Sequence, residues 1–128
     1  MKRCLLLLLS LSLLAACDDF FETDISSREV NVIAPVDGAG VPAGDVAFRW
    51  HSMDRASGYR FTLVEPSFDA AARILADTLI VADSVARSYG CRINLAAGEY
   101  EWSVEAFNSA YASERSVSSL TVTEADGL

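Results

Sequence analysis

Hydrophobic and polar residues alternate most cleanly from Glu99 to Ala106. Tyr100, Trp102, Val104 and Ala106 fall on one side, and Glu99, Glu101, Ser103 and Glu105 on the other. Successive side chains on a strand point to opposite faces, so this stretch predicts a strand with one buried aromatic face and one wet face. The same period of two recurs along the chain. Val30–Ile33 predicts a short strand, ended by Ala34-Pro35 and Asp37-Gly38, because proline fits only at a strand's end or edge. In the next strand Val46, Phe48 and Trp50 face inward. In the one after it Tyr59, Phe61 and Leu63 face inward, Arg60 and Thr62 face outward, and Pro66 stops the run. Tyr89, Cys91 and Ile93 share a face of a strand ending at Leu95. A turn over Asn108–Ser113 leads to a last strand from about Val117 to Val122.

Residues 67–86 are less regular. Asp69–Ala76 has the composition of two helical turns, and helix or loop both remain open there. β-Branched residues gather between Ile74 and Val81, which favours a strand over that stretch. About seven short strands separated by turn signals predict an all-β sandwich, its two sheets facing across a shared core. A domain of roughly 100 residues buries enough surface to stand without disulfides.

The start of the chain follows different rules. Met1-Lys-Arg is basic, Leu5 to Leu14 is apolar, and Leu14-Ala-Ala-Cys17 closes the segment. This is the layout of a secretory signal over residues 1–16, and it is too short to span a bilayer as a helix. Removing it leaves 112 residues with eight arginines, no lysine and 18 acids, a net charge of −10. Such a surface repels nucleic acid and anionic headgroups, so no nucleic-acid partner is expected. Cys4 leaves with the signal, and Cys17 and Cys91 cannot both be structural if one is modified, so no intramolecular disulfide is expected. Cys91, next to Ile93 in an alternating run, reads as a small buried apolar residue.

Leu14-Ala-Ala-Cys17 resembles a bacterial lipobox. That resemblance implies lipidation of Cys17 and cleavage before it. Each buried methylene contributes roughly 0.8 kcal/mol and one chain holds only marginally, so two or three chains on Cys17 would keep the protein at a membrane. The run from Cys17 to Arg28 reads as an acidic tether, able to reach on the order of 35 Å when extended. Asp18, Asp19 and Glu22 resemble the acidic export signals of surface lipoproteins in the Bacteroidota, which implies display at the outer membrane.

Trp50, the Tyr59-x-Phe61-x-Leu63 strand, and Leu95-x-x-Gly98-x-Tyr100-x-Trp102-x-Val104 together resemble a fibronectin type III-like domain. The resemblance implies a seven-stranded immunoglobulin-like sandwich over residues 29–123, with 124–128 as a polar tail. It also implies a tyrosine corner formed by Leu95, Gly98 and Tyr100, although the Gly98–Tyr100 spacing is one residue shorter than the common animal form. Glu65-Pro-Ser-Phe68, Asp77-Thr78 and Ala106–Tyr111 further resemble a group of Bacteroidota lipoproteins. That likeness implies a fold and an address, and carries over no catalytic residue.

Candidate chemistry is sparse. His51 is the sole histidine, so no two-histidine metal site can form, and no Gly-x-Ser-x-Gly elbow is present. The carboxylates of Glu99, Glu101 and Glu105 could act as acid and base only if burial raised a pKa, and they face away from the core. Arg60 is expected across from one of them. No Asp-x-Asp-x-Asp-Gly calcium loop occurs. No catalytic residue, metal or cofactor is expected beyond lipid on Cys17. The aromatics left outside the core are Phe68, Phe107 and Tyr111; Phe107 and Tyr111, close in sequence, form a candidate contact patch. The expected function is a lipid-anchored, non-catalytic interaction module of the cell envelope, meeting a protein or glycan partner. A glycan-binding lipoprotein of an uptake system is the alternative, and a small hydrolase relying on His51 a remote third.

Overall fold

The computed structural model describes residues 22–125 of the 128. The signal segment 1–16, Cys17, Asp18, Asp19 and the last three positions of the polar tail lie outside the described residues. Eight strands follow in order: β1 (Val32–Ala34), β2 (Ala39–Pro42), β3 (Gly44–His51), β4 (Gly58–Glu65), β5 (Arg73–Val81), β6 (Ser88–Leu95), β7 (Gly98–Phe107) and β8 (Ser116–Thr123). They form a three-stranded sheet, β1-β3-β6, and a five-stranded sheet, β2-β8-β7-β4-β5. All pairings are antiparallel except that of β2 with β8. The result is an immunoglobulin-like β-sandwich.

The alternation along each strand sets the core. Phe48 and Trp50 from the small sheet meet Tyr59, Phe61 and Trp102 from the large one, and all five are essentially inaccessible to solvent. Trp50 stacks on Phe61 at 5.9 Å between ring centroids and 10° between planes, and Phe48 meets Trp102 edge-on at 5.1 Å. Such pairs each add about 0.5–1.5 kcal/mol beyond the area they bury.

Two expectations change, and the open question over residues 69–76 is answered as a loop running into a strand. The strands number eight, not seven: β2 adds to the edge of the large sheet, parallel to β8, with Pro42 at its last position. Proline is acceptable there because an edge strand leaves one side of its backbone unpaired. Residues 69–76 form no helix; 66–72 is a loop, and β5 begins at Arg73.

The second change concerns the acidic tether, which is held against the fold from Glu22 onward. Ile25 is fully buried. The Thr23 carbonyl accepts a bond from Asn108 Nδ2 at 2.9 Å, and Glu22 Oε1 accepts one from the Ser109 hydroxyl at 2.7 Å. Arg28 Nη1 donates to the Asp54 carbonyl, and the Val30 carbonyl accepts from the Ser116 hydroxyl. An acidic composition did not prevent docking because one apolar side chain enters the core while the acids remain at the rim.

Candidate functional site

The outer face of the five-stranded sheet carries the densest set of charged contacts. Arg60 on β4 stands opposite Glu105 on β7, as the alternation suggested, yet its guanidinium turns the other way. Nε and Nη2 each donate to one carboxylate oxygen of Asp77 on β5, both at 2.8 Å. A planar fork matches a carboxylate with two parallel bonds, which a single-point contact with Glu105 would not provide. These bonds hold the Asp77 carboxyl below its usual range and raise the Arg60 guanidinium further. The glutamate row is partly tied down: Glu99 Oε2 accepts from the Thr121 hydroxyl and Glu101 Oε1 from the Phe68 N–H. A cleft of about 400 Å³ lies on this face between Phe68, Ile74, Asp77, Arg60, Glu105 and Arg115.

Phe68 is half-buried in the 66–72 loop. The Arg115 guanidinium lies 4.4 Å from its ring centroid and donates to Ser103 Oγ, so the ring covers the middle of β7 as part of a cation–π pair. Phe107 sits four positions beyond Ser103, at the end of β7, and its half-buried ring lies over Gly58. Tyr111 occupies the following turn, 38% exposed, with its N–H donated to Asn108 Oδ1. The three aromatics therefore form no single platform. Phe68 and Phe107 pack on the sheet, and Tyr111 alone presents a solvent-facing ring.

The loops 52–57, 82–87 and 108–115 meet at one end of the sandwich. Two tyrosines fasten the first two. Tyr59 OH accepts the Met53 N–H at 2.7 Å, and Tyr89 OH accepts the Asp83 N–H and donates to the Asp83 carbonyl. Their rings are 4.8 Å apart. Burial pushes the Tyr59 phenol above its ordinary range. A cleft of about 540 Å³ opens between Met53, Arg55, Tyr59, Asp83, Ser84 and Tyr89. Arg55 has a left-handed backbone (φ 71°), uncommon for a residue with a side chain, and it turns the loop at this rim.

At the opposite end the Tyr100 hydroxyl donates to the Ala96 carbonyl at 2.7 Å, with Leu95 buried and Gly98 beneath the ring. The bond ties the start of β7 to the turn that precedes it. Cys91 faces the core, half-buried, and burial pushes its thiol up to about 11. At neutral pH it is a thiol rather than the nucleophilic thiolate. His51 is exposed at the end of β3. Among the described residues no three His, Cys, Asp or Glu side chains are grouped to hold a metal ion.

Sequence reasoning missed one feature. β5 is an edge strand, bonded to β4 on one side only, and Ile74, Leu79 and Val81 on it are 68%, 66% and 81% exposed. The run Ile74–Val81 places apolar side chains on both faces, with Asp77 interrupting the outer one, a pattern that ordinarily marks a strand covered on both sides. Here the inner face is covered, with Leu75, Ala76 and Ile80 packed against the core, and nothing among the described residues covers the apolar side chains of the outer face. That mismatch between composition and position is the signal that could have found it.

No protein-family model matches the chain, and no curated protein matches it in sequence. Solved structures of similar shape include a mutant of FN3tt, with 14% identity over 75% of this chain and 89% of that one, at a TM-score of 0.44. The sulfur carrier protein SoxY from Chlorobium limicola f. thiosulfatophilum has 14% identity, covering 78% of this chain and 86% of that one, at 0.46. The chitinase ChiW of a Paenibacillus species, a multi-modular enzyme expressed at the cell surface, has 13% identity over 79% of this chain and only 9% of its own length, at 0.49. The fold class, an immunoglobulin-like sandwich of the fibronectin kind, rests on the strand order and pairing given above.

Proposed function

We propose that this chain is a non-catalytic interaction module of the cell envelope, anchored by lipid on Cys17 at the outer membrane, and that its contact surface is the free edge and outer face of β5. The address follows from the basic start, the apolar run and Leu14-Ala-Ala-Cys17. The observation that carries the contact role is the exposure of Ile74, Leu79 and Val81, which flank the Asp77 carboxylate already paired with Arg60, on an unpaired strand edge. Soluble proteins usually blunt such an edge with charge or proline, because it offers both backbone groups and apolar side chains to another strand. A fitting partner is a protein segment in extended conformation, whose backbone continues the sheet and whose alternate side chains lie on this row.

Two experiments test the reading. Wild-type chain should sediment with membranes and the Cys17→Ser chain should not; equal distribution would remove the anchor. A photoreactive side chain at Leu79 should give a discrete protein adduct in intact cells, and the same group at exposed Arg92 on the small sheet should not. Matching adducts at both positions would sink the β5 surface.

A further inference from the structure

We infer that the loop end of the sandwich, formed by 52–57, 82–87 and 108–115, faces the bilayer, with Val85 and Tyr111 touching the headgroup layer. This inference rests on the lipid-anchor reading of Cys17 and adds an orientation to it.

The chain reaches its anchor from this end. Glu22 is bonded to Ser109, Thr23 to Asn108 and Arg28 to Asp54, so the last described residues before the anchor lie on the loops themselves. Only the four positions 18–21 lie between Cys17 and Glu22. The five steps from Cys17 to Glu22 span at most about 17 Å even when fully extended. The long axis of the sandwich is greater than that: the ten residues of β7 alone extend for roughly 33 Å. The loop end therefore stays within reach of the membrane, and an upright molecule holds its far end clear.

Surface chemistry favours the upright pose. Val85 is 80% exposed at the tip of the β5–β6 loop, and Tyr111 is a solvent-facing aromatic of the β7–β8 turn at the same end. An apolar tip and a tyrosine at one end suit the boundary between headgroups and acyl chains. Arg28, Arg55 and Arg87 are also at this end, interspersed with acids. The far end carries Asp45, Asp69, Glu99 and Glu124, all exposed, with Arg73 the nearby cation. An anionic membrane surface repels that end more strongly. The consequence for function is geometric: β5 stands roughly along the membrane normal with its free edge facing sideways, open to a partner anchored in the same membrane.

The test uses the full lipidated chain, purified from membranes and reconstituted in phosphatidylcholine vesicles doped with a headgroup nitroxide lipid. In a Cys91→Ala background, a single fluorophore is placed on Ser84→Cys at the loop end or on Ala97→Cys in the β6–β7 turn. Quenching should be several-fold stronger at position 84. A second pair, Tyr111→Cys and Glu124→Cys, repeats the comparison should a label disturb the first. Equal quenching at both ends, or stronger quenching at the far end, with a lipidated and vesicle-bound protein, overturns the orientation alone. A mature chain whose mass shows no acyl groups overturns the anchor reading, and the orientation with it.

Discussion

The ring of Phe107 lies over Gly58, so closely that a methyl group on Gly58 would sit 2.6 Å from Phe107 Cζ and 2.9 Å from the Ile80 carbonyl oxygen. The aromatic that interrupts the wet row of β7 is therefore a packing element, filling the gap that the glycine leaves on β4. Gly58→Ala should destabilise the domain by about 1–3 kcal/mol, the usual cost of overpacking. Phe107→Ala should also destabilise, through lost burial. The double variant should cost less than the sum, because removing the ring relieves one of the two clashes. Urea unfolding of the three variants measures this; strict additivity would mean that the ring and the glycine do not interact.

The Arg60–Asp77 fork predicts an acid-sensitive contribution. Folding lowers the Asp77 pKa from 3.8, chiefly through the bonds from Arg60. A depressed carboxylate contributes stability that is fully present above the unfolded value and is lost as pH falls through the folded one. The difference in unfolding midpoint between wild type and Arg60→Gln should therefore be constant near neutrality and shrink once pH drops below 3.8. Both groups are solvent-exposed, so salt should shrink it too. A difference independent of pH would assign the effect of Arg60 to packing of its stem.

Cys91 shifts in the opposite sense. Burial raises its thiol from 9.0 to about 11, so folding favours the neutral form. That contribution is intact below 9.0 and is lost as pH rises from there toward 11. Alkylation at neutral pH should accordingly be slow in the native state and fast in denaturant, and Cys91→Ala should flatten the loss of stability in alkali. Rapid native-state alkylation would show that the thiol is open to solvent.

Ile25 is expected to be structural despite its acidic surroundings. It is fully buried, and replacing such a residue by alanine typically costs about 2–5 kcal/mol. A chain beginning at Glu29, the domain boundary read from the sequence, should melt well below one beginning at Glu22, as should Ile25→Ala in the longer chain. Equal melting temperatures would make the docking of 22–28 incidental.

Legibility followed the length of each pattern. Trp50, Phe61 and Trp102 were readable as core because each lies in a strand with several alternations, and the period accumulates evidence that no single residue carries. Ile25 has no period around it, so an isolated apolar residue among acids looked like linker. β2 is four residues with Gly40 and Pro42 inside it, both poor strand formers, and forms only because β8 offers an edge in register from Ala39 to Pro42. Arg60 could be placed opposite the β7 glutamates from its outward face together with the expected sandwich, in which its strand neighbours β7. Its choice of Asp77 over Glu105 depends on which strand flanks β4 on the other side, and sheet order is a property of the tertiary fold. The separation of Phe68 from Phe107 and Tyr111 has the same origin: the 66–72 loop folds over β7 through the Glu101 and Arg115 contacts.

Sheet order also decides the last prediction. Leu79 stands beside the outward-facing Arg60 on the outer face of the sheet and so faces solvent, whereas its neighbours Leu75 and Ile80 pack against the core. The edge position of β5 leaves its backbone open beside that side chain. Leu79→Lys should change stability by no more than about 0.5 kcal/mol, as expected at an exposed site away from special features. The same change on a partner-binding edge introduces a charge that must be desolvated when another strand is added, which is how edges are ordinarily protected. Leu79→Lys should therefore preserve the melting temperature and abolish partner adducts formed from a photoreactive group at Val81. Ile80→Lys on the opposite face should instead lower the melting temperature, since it places a charge against the core. If Leu79→Lys destabilises as much as Ile80→Lys, the side chain is part of the core and β5 offers no free apolar row. If it leaves both stability and adducts unchanged, the partner does not lie over Leu79.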